Sequence, residues 1–143
     1  MAITFHLHQI STSILNGKKR KISAWIKQTI EKENKITGNI CIILTGKKQL
    51  LKINNKYLKH NYHTDIITFN YNEGFIISGD LFISLPKVKE NAKIYNVTIE
   101  LELLRVIIHG IFHLTGYNDS TEKEKTEMRK KEDKTLDVYT LFN

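Results

Sequence analysis

Between Val97 and Leu114 the chain is apolar on nearly every side of a helix, with Val97, Ile99, Leu101, Leu103, Leu104, Val106, Ile107, Ile108, Ile111, Phe112 and Leu114. Such a segment has to be wrapped by other elements. Glu100, Glu102 and Arg105 lie within it, and that charge argues against a membrane span. At about 100° per residue, Glu102, Arg105, His109 and His113 all fall within a sector of roughly 80°. The sequence therefore predicts a core helix with a single polar stripe.

Two imidazoles lie on that stripe. His109 and His113 are four residues apart, a spacing that lets both bind one metal ion. Gly116 tolerates a left-handed conformation, so the helix can stop there and the chain can turn back. Asp119 is the first side chain beyond the turn able to reach the ion as a third ligand. The pattern HxxxHxxGxxD thus offers two nitrogens, a turn and an oxygen, with a fourth position left for water or substrate. With six histidines in 143 residues, an accidental pair at this spacing arises in about one such chain in four. The competing reading is a pair of core histidines satisfied by Glu102 and backbone carbonyls.

The segment H-G-I-F-H-L-T-G-Y-N-D resembles the signature of the bacterial YbeY endoribonucleases, whose usual form is HGxLHLxGYDH. The stretch Ile53 to Phe69, I-N-N-K-Y-L-K-H-N-Y-H-T-D-I-I-T-F, is similar to that family's LNxxYR followed by TDVLSF, and Gly79-Asp80 matches its G-D strand. The resemblance covers nearly the whole chain. It implies a zinc-dependent endoribonuclease that cleaves single-stranded RNA, matures the 3′ end of small-subunit ribosomal RNA (16S) and acts in ribosome quality control. The implied catalytic and metal residues are His109, His113 and Asp119, with aspartate where the family has a third histidine. A carboxylate makes the ion a weaker Lewis acid and favours harder metals, so manganese stands beside zinc as a candidate. The family's arginine falls at Leu58. A planar cation for phosphate is missing there, leaving Lys56, Lys59 or His60 to substitute with poorer geometry.

The remaining chain supplies the wrapping. Residues 3 to 8 read as a strand with Ile3, Phe5 and Leu7 inward and His6 and His8 on a solvated face. Lys18 to Asn34 reads as a helix whose stripe is Ile22, Trp25, Ile26, Thr29 and Ile30. Its K-K-R-K run, Lys18 to Lys21, is a phosphate contact or a solvated helix end. Asn39 to Leu44 reads as a buried strand, with Cys41 a small core residue and Thr45 placed to cap the next helix. That helix, about Gly46 to Leu58, sets Leu50, Leu51 and Leu58 opposite Lys48, Lys52, Lys56 and Lys59. Strands follow at Asp65 to Asn70 and Phe75 to Leu85, then a short helix opened by Pro86 and reaching about Tyr95. Thr64 and Asp65 shape the groove floor or merely start a strand, and His63 is a loop histidine or a stray ligand. After Asp119, a capping box of Thr121 and Glu124 opens a charged surface helix docked weakly by Met128 and Leu136. The order is βαβαββααα: one α+β domain over residues 1–143, with a mixed four-stranded sheet and a zincin-like buried metal helix.

Hydrophobic content of 41% and a mean hydropathy of −0.32 fit a soluble globular chain, and one cysteine excludes a disulfide framework, which suits the cytoplasm. The net charge of +7 points to an anionic partner, with nucleic acid first. Lysine is heavily used throughout, so placement counts for more than the total. The row Lys48, Lys52, Lys56 and Lys59, with His60, is the expected RNA track. The expected partners are single-stranded ribosomal RNA and the ribosome or its small subunit, with no membrane. Two other functions use the same features. A zincin peptidase has HExxH, whose glutamate is the general base, but Gly110 stands at that position here and cannot take a proton. A non-catalytic ribosome-binding module with a structural metal would need no base at all.

Overall fold

In the computed structural model, residues 2–60 and 63–142 are described. Asn61 and Tyr62, inside the Ile53–Phe69 stretch, lie outside them. The element order is β1 (Ile3–His8), α1 (Lys19–Lys32), β2 (Ile36–Thr45), α2 (Lys47–Leu58), β3 (Ile66–Asn70), β4 (Ile76–Ser84), α3 (Leu85–Tyr95), α4 (Ile99–Leu114) and α5 (Glu122–Tyr139). The expected βαβαββααα order holds, with ends shifted by one to three residues, as frayed termini allow.

The sheet runs β1-β2-β4-β3, with β1 and β4 parallel to β2 and β3 antiparallel to β4. Parallel neighbours need crossovers, and α1 and α2 provide them from opposite faces. Alternation along the strands sorts the side chains. Ile40, Ile42 and Leu44 of β2 join Ile77, Leu81 and Ile83 of β4 in the main core, where α1 supplies Ile22, Trp25, Ile26 and Ile30 and α4 supplies Ile107, Ile108 and Ile111. On the other face, Phe69 stands edge-on to both Phe82 and Tyr57 of α2, at 5.8 Å in each case.

Several local expectations are corrected. Cys41 shares the outer face and is only half-buried, with Thr4 donating to its sulfur at 3.4 Å, because its neighbours Ile40 and Ile42 take the core side. Leu7 is largely exposed, since β1 is an edge strand that α1 covers only in part. Leu58 is exposed as well, and Asn54 takes the buried place below Leu50. Thr45 does not cap α2: Gly46 is the cap residue, and the Thr45 hydroxyl donates to the His8 carbonyl at 3.3 Å. Pro86 is the second residue of α3, which Ser84 caps by accepting from Lys87 N at 3.2 Å. The K-K-R-K run is partly engaged: Lys18 pairs with Glu100 at 2.6 Å, and Lys21 lies over the Tyr139 ring at 4.2 Å.

α4 is the axis of the molecule. Thr98 caps it, accepting from Leu101 N at 3.1 Å, and its apolar residues are buried from Leu103 onward, while Val97, Ile99 and Leu101 are half-exposed at the entry. Gly110 faces the sheet, where a Cβ would come to 2.7 Å from Leu81 Cδ2 and 2.8 Å from Ile66 Cδ1. Absence of a side chain there allows helix and sheet to approach this closely. Asn72, from the β3–β4 turn, donates its amide to the Leu114 carbonyl at 2.8 Å and so satisfies one open carbonyl at the helix end.

α5 is docked more firmly than two apolar residues would allow. Met128, Glu132, Leu136 and Tyr139 are all buried. Trp25 meets Tyr139 edge-on at 5.0 Å and donates its indole N–H to the Thr135 carbonyl at 2.8 Å. Thr121 and Glu124 form the expected capping box.

Candidate metal centre

Past Leu114 the helix stops as its sequence suggests. Gly116 takes φ +110, and Tyr117 N donates back to the Phe112 carbonyl at 3.0 Å. The reversal brings Asp119 over the histidine stripe. His109 Nε2 and His113 Nε2 lie 3.0 Å apart, and Asp119 Oδ2 lies 3.1 Å from the first and 3.3 Å from the second. Among the described residues this is the one cluster of three such side chains whose ligand atoms converge.

The other ring nitrogens decide what those three atoms can do. His113 Nδ1 is 2.9 Å from the Tyr117 carbonyl, which can only accept, so Nδ1 carries the proton. His109 Nδ1 is 2.6 Å from Glu132 Oε2, and a carboxylate again accepts. When neutral, both rings therefore present a bare Nε2 toward the Asp119 carboxylate. Three acceptors face one point with no donor among them, an arrangement that calls for a cation. Ligand atoms around a tetrahedral ion with bonds of 2.0–2.1 Å stand about 3.4 Å apart, close to the spacings found. The residues present fit a divalent metal. All three are partly open to solvent, as a site that admits substrate requires.

Glu132 is the functional residue that sequence reasoning missed. The core-histidine alternative assigned the satisfying carboxylate to Glu102, but Glu132 of α5 meets His109 instead. Its other oxygen accepts from Arg105 at 2.9 Å, and Arg105 also donates to Asp133 at 2.7 Å. The signal was present: Met128, Glu132 and Leu136 recur at four-residue spacing, so a carboxylate interrupts the apolar stripe of α5. Desolvation pulls the His109 pKa down, but the hydrogen bond and charge of Glu132, with Asp119 and Asp65 behind them, outweigh it and hold it above the ordinary histidine range. Burial raises the Glu102 carboxyl, with Asp65 and Glu132 adding to the effect against Arg105 and Arg129.

Two grooves adjoin the triad. One, of about 240 Å³, runs past His109 and Asp119 between Lys125, Met128, Arg129 and Glu132. The other, of about 130 Å³, lies across His109 toward Asp65, Asn91, Tyr95 and Arg129. Asp65 thus borders the site, and burial lifts its carboxyl above the usual range against the pull of His109. Among the described residues, Lys48, Lys52, Lys56, Lys59 and His60 do not line either groove. The four lysines are exposed on α2 and the loop after it, and His60 is exposed with its backbone N–H bonded to the Asn54 carbonyl at 3.1 Å. His63 is also exposed, and His6 and His8 sit on the exposed edge strand, with His6 Nε2 3.0 Å from the Thr4 hydroxyl.

The family model described as endoribonuclease YbeY matches residues 6–140. The endoribonuclease YbeY of Parabacteroides distasonis is 44% identical over 138 residues, spanning 96% of this chain and 96% of that one. That of Azobacteroides pseudotrichonymphae is 50% identical over 119 residues, 82% of this chain and 86% of its own length. The solution structure of a Thermotoga maritima protein superposes with a TM-score of 0.68 at 26% identity, covering 96% of this chain and 89% of that one.

Proposed function

The chain belongs to the endoribonuclease YbeY family, and from that footing we propose that it is a single-strand-specific endoribonuclease whose domain spans residues 1–143. Its centre is His109, His113 and Asp119, its working ion zinc, and its substrate the 3′ end of small-subunit ribosomal RNA, on or near the ribosome. The observation that carries the reading is the convergence of two bare Nε2 atoms on one carboxylate oxygen. Among the described residues no helix is long and apolar enough to cross a membrane, which accords with a cytoplasmic substrate.

When bound, a divalent ion supplies a Lewis acid for the scissile phosphate and lowers the pKa of a coordinated water toward about 7. The chain's own residues do the rest. Glu132 and the Tyr117 carbonyl each hold one Nδ1–H, which fixes the tautomer and aims each Nε2. Asp119 would supply a negative ligand, and the partial exposure of all three residues leaves the site accessible to an RNA strand. The exposed lysine row of α2 extends the RNA path beyond the centre, and long-range attraction to phosphates favours this use of it.

Peptidase chemistry is disfavoured by Gly110, where the general-base glutamate of a zincin would stand. A Cβ there would meet the side-chain ends of Leu81 and Ile66 at 2.7 and 2.8 Å, so a side chain at this position points into the packing between helix and sheet. The test is cleavage of single-stranded RNA spanning the 3′ end of small-subunit ribosomal RNA by zinc-loaded protein, beside a His113→Ala variant prepared identically. Cutting by the parent alone is expected, and the product termini then identify the attacking oxygen. Equal cutting by both, or none by either with zinc or manganese, overturns the catalytic reading in favour of an RNA-binding module with a structural metal.

A further inference from the structure

Leu58, the position to which the family resemblance assigns an arginine, is exposed and has no charge to offer a phosphate. A nuclease still has to hold the phosphate it cuts or its neighbours. Two guanidinium groups lie beside the triad. Arg105 is committed: its fork is filled by Glu132 at 2.9 Å and Asp133 at 2.7 Å, and its side chain is only 16% exposed. Arg129 is different. It is exposed, and it borders both grooves that adjoin His109. The Tyr95 ring lies 5.9 Å from its guanidinium carbon. That contact steadies the side chain without occupying its N–H groups.

One helical turn before it, Lys125 lines the groove that runs past Asp119. Its ammonium lies 3.5 Å from the almost fully exposed Glu122, an i, i+3 pair that competes weakly for it. Lys125, Arg129 and Glu132 follow one another at intervals of four and three residues along a single face of α5. The same helix thus buries a carboxylate behind His109 and lifts two cations beside it. The charges are complementary in use: the carboxylate fixes a metal ligand, and the cations face the open groove.

We propose that Arg129, assisted by Lys125, is the phosphate-binding pair of this chain, gripping an RNA phosphate next to the scissile bond from the α5 side of the grooves that adjoin His109. Arg129 offers two parallel N–H donors to phosphate oxygens, and Lys125 adds a mobile point charge one turn along the strand. The clamp positions substrate and has no part in holding the ion. This inference rests on the endoribonuclease reading, so binding and cutting are measured separately.

The experiment compares the parent, Arg129→Ala, Arg129→Lys and Lys125→Ala, each checked for one bound zinc per chain and an unchanged melting temperature. Binding of a fluorescent, 2′-deoxy-substituted oligonucleotide is followed from low to moderate salt, and cleavage of the matching RNA is followed under single-turnover conditions. Arg129→Ala is expected to weaken binding about tenfold or more and to reduce the slope of log affinity against log salt by about 0.7, the value of one single-strand phosphate contact. Arg129→Lys should restore the salt slope but only part of the cleavage rate, because the fork geometry is lost. Lys125→Ala should reduce the slope with a smaller effect on rate. If the parent cuts RNA and Arg129→Ala binds and cuts equally well with the same slope, the clamp is refuted while the nuclease stands. If the parent binds without cutting, the nuclease reading fails and the binding slopes still decide the clamp. A parent that neither binds nor cuts overturns both.

Discussion

Replacing Glu132 by glutamine should weaken metal binding without dismantling the fold. The carboxylate is 5% exposed and holds two donors, His109 Nδ1 at 2.6 Å and Arg105 at 2.9 Å. An amide has one accepting oxygen, so it can serve only one of them, and its NH2 then opposes the other donor. His109 loses a charged acceptor that fixed its tautomer and strengthened its Nε2 as a ligand. Loss of such a partner typically costs 10–100-fold in metal affinity, about 1.4–2.7 kcal/mol. The contact is short and buried, which argues for the upper half of that range. The metal-free protein should lose about 1–3 kcal/mol, toward the lower end, because Arg105 keeps Asp133 at 2.7 Å. Zinc affinity is measured by competition with a chromophoric chelator, and stability by urea denaturation of stripped protein. An Asp133→Asn variant serves as control and should leave zinc affinity within about twofold of the parent. A Glu132→Gln protein that binds zinc as tightly as the parent would refute the reasoning, since His109 would then need no fixed partner.

Stripping the metal should lower the melting temperature, because free ion at a hundred times its dissociation constant adds about 2.7 kcal/mol to the folded state; His113→Ala should abolish that difference in a scan with and without chelator, and a persistent difference would place the ion elsewhere. Gly110→Ala should destabilise only by about 1 kcal/mol, the low end for overpacking, because the added Cβ meets side-chain ends of Leu81 and Ile66 that can shift, partly offset by the better helix propensity of alanine, and an equilibrium denaturation curve that moves toward higher urea would contradict the close approach. Glu33 should contribute to acid stability: burial raises its pKa, but the nearby Tyr117 hydroxyl and the Lys131 ammonium, 3.0 Å from Oε1, outweigh it together with the charge of Lys35 and leave it lowered. A lowered folded-state pKa stabilises above the ordinary glutamate range and is lost as pH falls through the folded value. Glu33→Gln should therefore lose stability at neutral pH and show a shallower decline below about pH 4.5; parallel curves for variant and parent would remove Glu33 from that role.

The parts of this molecule that were legible in its sequence are those coded by local spacing. α4 announced itself by an apolar surface broken by one stripe, and His109, His113, Gly116 and Asp119 lie within eleven residues of each other. A helix and one turn were enough to bring them together. Glu132 is thirteen or more residues from every ligand, in a helix whose charges dominate its composition, and its partner could be learned only once α5 was docked across α4. Leu58 and Cys41 were misplaced for a related reason. Their hydropathy says that they prefer burial, but α2 covers only part of the outer sheet face, so the number of apolar residues exceeds the area available to cover them. The resemblance named the position that lacks an arginine. It was silent about Arg129, because α5 offers no motif and the relevant proximity is tertiary.

The contact behind Gly110 also fixes the aim of the site. At Gly110 helix α4 lies so close to Leu81 and Ile66 that an added Cβ would come within 2.7 and 2.8 Å of their side chains, so a roll of the helix would crowd those side chains or leave a void beside them. A histidine nitrogen about 6 Å from a helix axis moves 0.2 Å, the tolerance of a metal bond, when the helix turns by about 2°. Angular accuracy of that order is hard to obtain from side chains at the solvent surface. Here it is set from the rear, where a glycine lets the helix lie close over Leu81 and Ile66, and that packing is the reference from which the two imidazoles are pointed.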